Sequence, residues 1–229
     1  MIDKDIFIKK VNSTFTNNAI EADALQMEKY MRNQFKFFGL KSPLRRKLQG
    51  NIIKEINYPS IEDIEYIVSN FWNSNERELQ YFAMNLLHIS LKKLDSNIID
   101  FLEMLIQKKS WWDTIDFIAP NLVGKLFIDD KKLQNKYITK WINSDNFWLK
   151  RSAIISQLRY KEQTDFNLLK ELIYITKDDD EFFIRKAIAW ALREHSKCFP
   201  QEVKQFVKTT NLKPLSTREA LKYINKNNL

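Results

Sequence analysis

One segment of the sequence places a tryptophan and an aspartate where both could contact the same ligand. Trp112 and Asp116 lie four residues apart in SWWDTIDFI, and residues at i and i+4 share one face of a helix. Asp116 stands among apolar residues, and no capping role explains a carboxylate at this position. Either it serves a binding or catalytic function, or it is an ordinary aspartate on a helix surface.

Two further tryptophans are followed closely by cations. Trp148 precedes Lys150 and Arg151, and Trp190 precedes Arg193. An aromatic ring beside a cation suits contact with a sugar or base next to a contact with a phosphate. The alternative for each tryptophan is a place in the hydrophobic core.

Serines near the candidate residues are positioned to begin helices. Ser110 precedes Asp113 by three residues, and Ser216 precedes Glu219 by three residues. This is the spacing of a capping box, in which the serine hydroxyl and the acid each accept a backbone N–H. We therefore expect both pairs to cap helices.

The elements that must position these residues repeat along the chain. Five segments share a small-residue anchor at intervals of 33 to 36 residues, with alanines at Ala83, Ala119, Ala153, Ala187 and Ala220. This is the period of two-helix repeats, and an alanine at a fixed place suits the close approach of neighbouring helices. The amphipathic stretches NIIDFLEMLIQ and FNLLKELIYI lie between the anchors.

The repeats predict an all-α fold, an α-helical solenoid of stacked helix pairs. We expect one domain over residues 1–229, with an N-terminal helical cap and first repeat over 1–70 and the repeats whose face carries the candidate residues Trp112, Asp116 and Arg151 over 71–229. The composition agrees, because the chain is 44% hydrophobic and contains three Gly and five Pro. So few turn residues fit poorly with a β-sandwich or barrel.

The charges are unevenly distributed. The formal net charge is +8; residues 29–50 contain seven cations and no acid, residues 51–100 are net acidic, and basic character returns beyond Arg151. This distribution favours a polyanionic partner, and a basic concave face on a solenoid suits the backbone of duplex nucleic acid. The alternative is that the cations lie on solvated helix faces.

Other features of the sequence exclude several classes of protein. The two histidines, His88 and His195, are far apart, and no cluster of Cys or acids has the spacing of metal ligands. A Gly-rich phosphate loop is lacking too, so we expect neither a metal nor a cofactor. The single cysteine excludes an intrachain disulfide, the N-terminus has no apolar signal-peptide region, and no apolar run is long enough to span a membrane. We expect a cytoplasmic protein without a membrane partner.

Five motifs in the same order make the chain resemble the AlkD-type DNA alkylation repair family, DNA glycosylases built from HEAT-like repeats. They are YMRNQFKFFGLKSPLRR, SWWDTIDFIAPNLVG, SDNFWLKRSAIISQLRYK, EFFIRKAIAWALRE and PLSTREALKYI. The resemblance covers nearly the whole chain. It implies hydrolysis of the N-glycosidic bond of cationic N3- and N7-alkylated purines, such as 3-methyladenine and 7-methylguanine, in double-stranded DNA during base excision repair.

The resemblance also implies a role for individual residues. Asp116 corresponds to the catalytic aspartate of the family, and Trp112 and Trp190 correspond to its two active-site tryptophans. Arg151 corresponds to an arginine that holds a phosphate. The other implied DNA contacts are Arg193, Tyr30, Ser42 and Arg46.

The implied reaction needs no strong general acid, because alkylation gives the purine a positive charge and makes it a good leaving group. Asp116 would stabilise the oxocarbenium-like sugar and orient a water molecule, and the two tryptophan faces would flank the cationic sugar. We expect a monomer that acts on alkylated double-stranded DNA. Two alternatives stay open: a non-catalytic repeat protein that binds damaged or branched DNA, and a protein-interaction scaffold.

Overall fold

The computed structural model describes residues 2–229, and its regular structure is helical. Within this part of the chain, extended pairing is limited to an isolated bridge between Lys36 and Glu76. The predicted all-α fold is therefore confirmed. The chain forms two compact units, of which the first ends at Asp95 and the second is Ser96–Leu229. The single domain with an internal boundary at residue 70 stays a prediction.

In the first unit, four phenylalanines from three helices form a cluster. Its helices are α1 (Lys4–Asn17), α2 (Glu21–Tyr30), α3 (Ser42–Ile56), α4 (Ile64–Asn73) and α5 (Arg77–Ser90), followed by a 3-10 turn at Leu91–Lys93. Phe7, Phe15 and Phe71 each meet Phe82 edge to face, with ring centroids 5.9, 6.0 and 5.4 Å apart. Such pairs add specific geometry to the burial of apolar area.

The second unit is a succession of helix pairs. Its helices are α6 (Ile98–Gln107), α7 (Trp112–Ile118), α8 (Gly124–Asp129), α9 (Lys131–Ile142), α10 (Phe147–Ile155), α11 (Phe166–Thr176), α12 (Phe182–His195), α13 (Pro200–Thr209), α14 (Pro214–Ala220) and α15 (Lys222–Lys226). A π-helical segment, Ala119–Val123, joins α7 to α8, and a 3-10 turn lies at Lys161–Gln163.

The second helix of each pair forms a row. The pairs are α6 with α7, α9 with α10, α11 with α12, and α13 with α14, and the second members pack side by side in the order α7, α10, α12, α14. Each candidate residue of the second unit belongs to this row. The five anchor alanines, Ala83, Ala119, Ala153, Ala187 and Ala220, all have 0% exposure, which confirms their predicted burial between helices.

The helix that carries Trp112 and Asp116 does not continue regularly. Pro120 has no N–H to donate to the carbonyl of Asp116, four residues earlier, and the N–H of Gly124 donates to the carbonyl of Ala119, five residues earlier. Gly124 also permits a close approach to the end of α10, because a Cβ there would lie 2.4 Å from the carbonyl oxygen of Ser156. Single π-helical turns inside α-helices are frequent at functional sites.

In the described part of the chain, none of the helices combines the length and apolar character needed to cross a bilayer.

Candidate active site

Asp116 and Arg151 form a close ion pair between α7 and α10. Arg151 Nε donates to Asp116 Oδ1 at 2.9 Å, and Nη2 donates to Oδ1 at 2.7 Å and to Oδ2 at 2.9 Å. The arginine side chain is 4% exposed and the aspartate side chain 20%. These are the lengths of strong, charge-assisted hydrogen bonds in a forked arrangement. The carboxylate orientation is therefore fixed by a buried guanidinium.

Helix α12 completes the surroundings of Arg151. The remaining terminal nitrogen, Nη1, donates to the carbonyl of Phe183 at 2.6 Å, and the guanidinium carbon lies 6.0 Å from the Phe183 ring centroid. Trp111 and Trp148 pack against the same ring, with centroids at 5.5 and 4.8 Å. Trp148 is buried, so the core alternative is correct for this tryptophan, whose role is to support the arginine.

The environment of Asp116 favours its neutral form more than water does. Burial raises the pKa of its carboxyl, the charge and hydrogen bonds of Arg151 lower it, and the charge of Asp113 raises it; the net direction is upward from the ordinary value. Desolvation thus outweighs the arginine. Asp116 takes up a proton at a higher pH than an ordinary aspartate.

The predicted capping box at the start of α7 is wrong. The Ser110 hydroxyl donates to the carbonyl of Ile106 at 2.6 Å, and the N-cap position belongs to Trp111, which provides no side-chain cap. Ser110 instead satisfies a carbonyl in the last turn of α6, where helical carbonyls lack N–H partners. Asp113 is consequently placed as a charged neighbour of Asp116, not as the partner of Ser110.

The two candidate tryptophans lie on α7 and α12, the two helices of the row that pack against α10. Trp112 is half-buried on α7, one turn before Asp116, and Trp190 is half-buried on α12, two turns after Phe183. The Trp190 indole N–H donates to Glu194 Oε1 at 3.3 Å. Neither ring is absorbed into the core, so both keep a surface for a ligand.

Arg193 also lies on α12, and its partner is Glu219 of α14. Arg193 Nη1 is 3.5 Å from Glu219 Oε2, and Lys186 Nζ is 3.4 Å from the same oxygen.

The capping box predicted for Ser216 and Glu219 is wrong. Helix α14 begins at Pro214, so both residues lie within it, and the Ser216 hydroxyl donates to the carbonyl of Arg185 at 3.1 Å.

The other predicted DNA contacts lie in the first unit. Tyr30 is 72% exposed at the end of α2. Ser42 is the first residue of α3, and Arg46 follows one turn later, with its Nε 3.3 Å from the Ser42 carbonyl oxygen. All three side chains are exposed. Tyr30 ends α2, and Ser42 and Arg46 lie in the first turns of α3, the next helix along the chain.

The loop between Tyr30 and Ser42 is held by one buried carboxylate. Glu78 accepts the backbone N–H groups of Phe38, Gly39 and Leu40 at 3.1, 3.0 and 2.9 Å. Burial raises the pKa of Glu78, and these N–H groups oppose the shift. Gly39 is required here, because its φ is +85° and a Cβ would lie 2.0 Å from the Ile20 carbonyl oxygen. The end of the loop that leads into α3 is thereby fixed.

Sequence reasoning missed the Phe183 carbonyl, Lys186 and Glu219. A usable signal was the repeat period: Asp116 and Arg151 are 35 residues apart, and Lys186 and Glu219 are 33 apart. Residues one repeat apart lie at matching places on adjacent helices of the row. In the described residues, no group of three or more His, Cys, Asp or Glu side chains is placed to hold a metal ion.

Comparison with known families matches the sequence to one class of protein. The family model for the DNA alkylation repair enzyme matches residues 11–224. The chain therefore belongs to the DNA alkylation repair enzyme family. Membership implies an enzyme of alkylation damage whose partner is damaged DNA.

One solved structure supports the same placement, and a second shares the fold. The chain is 32% identical to a predicted DNA alkylation repair enzyme from Enterococcus faecalis, covering 91% of this chain and 97% of that one, with a TM-score of 0.83. AlkD2 from Streptococcus mutans is 22% identical over 78% of this chain and 87% of its own, with a TM-score of 0.58, and shows the fold alone. Comparison with curated protein sequences found no match.

Proposed function

We propose that the protein is a DNA glycosylase that hydrolyses the N-glycosidic bond of cationic N3- or N7-alkylated purines in double-stranded DNA. The observation that carries this proposal is the Asp116 carboxylate, which receives three hydrogen bonds from the buried Arg151. It lies one helical turn from Trp112. Family membership supports alkylated DNA as the substrate, and the fixed carboxylate supplies a group suited to the reaction.

The reaction breaks the bond between C1′ of the sugar and the ring nitrogen of the base. The bonding electrons pass to the base, which loses its positive charge and leaves as a neutral purine. Water then forms a bond to C1′ and releases a proton. Positive charge develops on the sugar in between, and a preorganised carboxylate stabilises it. Asp116 would orient the water by accepting a hydrogen bond from it.

The site suits a leaving group that is already charged. Asp116 is held by an arginine, so it serves as an anion and not as a proton donor to the base. Trp112 and Trp190 would place their electron-rich faces beside the cationic sugar. A neutral lesion such as uracil lacks the charge on which this arrangement depends, so we expect no excision of uracil.

Arg151 has a second role in this proposal. Its guanidinium is buried and is bound to Asp116 and to the Phe183 carbonyl, so in the free protein it positions the carboxylate. These contacts use four of the five N–H donors of Arg151, so the phosphate contact proposed for this residue is left to the second N–H of Nη1. Arg193, Tyr30, Ser42 and Arg46 are proposed as contacts to the DNA backbone, and the active species is proposed to be a monomer.

The direct test is product release by the purified wild-type protein. We expect free 7-methylguanine from methylated duplex DNA and no free uracil from a duplex containing uracil, both analysed by chromatography against a no-protein control. Duplex binding without release of any alkylated base would favour the non-catalytic DNA-binding alternative.

A further inference from the structure

A second group of charges lies in the second unit, centred on Glu219. Its carboxylate is 3.4 Å from Lys186 Nζ, 3.5 Å from Arg193 Nη1 and 3.7 Å from Arg218 Nε. Lys222 adds a fourth positive charge nearby. One carboxylate therefore stands among four cations, and the cluster as a whole is positively charged. We call these five residues the Glu219 cluster.

The contacts within the Glu219 cluster are loose. Charge-assisted hydrogen bonds between nitrogen and a carboxylate usually measure about 2.7–2.9 Å, and all three contacts of Glu219 are longer. Removal from water opposes ionisation of Glu219, yet Lys186, Lys222 and Arg218 together hold the pKa of its carboxyl below the ordinary value. The carboxylate thus has several cationic partners and no short bond to any one of them.

The Glu219 cluster faces the same way as the candidate active site on α12. Lys186, Trp190 and Arg193 are at i, i+4 and i+7, which places them on one face of this helix. The side chains of Lys186 and Arg193 are 38% and 28% exposed, so both can reach a ligand. A chain of phosphates passing Trp190 would therefore meet both cations.

We propose that Lys186, Arg193 and Arg218 form a binding site for one phosphate of the DNA backbone, and that Glu219 occupies this site in the free protein. On binding, the phosphodiester replaces Glu219 as the partner of the cations. In the free protein, Glu219 holds Lys186, Arg193 and Arg218 close to the positions in which they would bind the phosphate. It also lowers the affinity for DNA, because its contacts with these cations must be broken when the phosphate binds. The proposal rests on duplex DNA as the substrate.

Replacing Glu219 by glutamine tests whether the carboxylate competes with the DNA phosphate for the three cations. We expect Glu219→Gln in the full-length protein to bind duplex DNA roughly three- to tenfold more tightly at low salt, because a like charge beside the incoming phosphate is removed. Lys186→Gln should weaken binding and reduce the slope of log Kd against log salt by about one unit. Fluorescence anisotropy of a labelled duplex over about 50 to 200 mM salt measures both quantities.

Lys132→Gln is the matched control, because it removes one exposed lysine from α9, which packs against α8 and α10. It should lower affinity less than Lys186→Gln at every salt concentration. A Glu219→Gln variant that binds no more tightly than wild type overturns the proposal, as does a Lys186→Gln variant that matches Lys132→Gln. If the wild type itself does not bind duplex DNA, the proposed function fails as well, whereas wild-type binding with an unaffected Glu219→Gln variant removes this site alone.

Discussion

Two arginine–carboxylate pairs in the second unit differ in how they are built. Arg151 and Asp116 are joined by three hydrogen bonds of 2.7–2.9 Å, and the arginine is 4% exposed. Arg193 and Glu219 approach to 3.5 Å, and the arginine is 28% exposed and shares its partner with Lys186. The first pair is fixed by its surroundings, while the second is able to exchange partners.

The difference follows from what surrounds each arginine. Arg151 is enclosed by the Phe183 ring and carbonyl, with Trp111 and Trp148 behind them. A charge enclosed in this way requires a fixed counter-charge. Arg193 stays in contact with solvent and has no such requirement. We infer that the first pair provides a fixed anion for chemistry and that the second provides a place for a phosphate.

The largest expected difference between the pairs is in stability. Arg151→Ala leaves Asp116 largely buried without its cation, and removing one partner of a buried ion pair costs about 3–5 kcal/mol. We expect a loss of this size in the free energy of unfolding, measured by urea denaturation at neutral pH. Excision by the remaining folded protein should also fall, because nothing then orients the carboxylate.

Arg193→Ala is the contrasting variant. Its pair is loose and solvent-exposed, so the free energy of unfolding should change by no more than about 1 kcal/mol. Equal losses of stability for the two variants would contradict the distinction between a fixed and an exchangeable pair.

A smaller effect is expected in the pH dependence of excision. The pKa of Asp116 is raised by burial, so this carboxylate becomes protonated as the pH falls through a value above that of an ordinary aspartate, about 3.9. The protonated form carries no charge to stabilise the sugar cation. Below the raised pKa, the single-turnover rate should fall about tenfold for each pH unit.

The matching control for the pH profile is Asp116→Asn, which has no carboxyl to titrate at this position. Its residual rate should lack the acid limb once spontaneous base loss from DNA without protein is subtracted. The same acid limb in both proteins would assign the titration to a different group.

Much of the fold can be predicted from the sequence, because the anchor alanines mark places where packing between helices requires a small side chain. Ala153 and Ala187 are fully buried, so a larger side chain there would overpack the contact between neighbouring helices, and the spacing of the alanines reveals the repeat. The capping boxes at Ser110 and Ser216 were not predictable in this way. The hydroxyl of a serine near a helix can accept an N–H from the first turn of that helix, or it can donate to a backbone carbonyl of another segment. Here both serine hydroxyls donate to carbonyls, those of Ile106 and Arg185.

The sequence predicts which residues form the candidate site, but it does not predict that Asp116 and Arg151 bind each other. Asp116 and Arg151 were each identified, yet the predicted partner of Arg151 was a phosphate and not the aspartate itself. Their contact depends on how α7 and α10 pack, including the close approach that Gly124 permits. Such geometry comes from tertiary packing. Helical periodicity within one segment does not predict it.

The central claim is that Asp116 is the catalytic anion, and single-turnover excision tests it most directly. The measurement compares release of 7-methylguanine from methylated duplex DNA by wild type and Asp116→Asn, with DNA saturated by folded protein. Asp145→Asn, an exposed aspartate between α9 and α10, serves as the control and should match wild type. We predict that Asp116→Asn is slower by about 10²–10³-fold, the usual value of one preorganised electrostatic contact. Equal rates for wild type and Asp116→Asn would contradict the account.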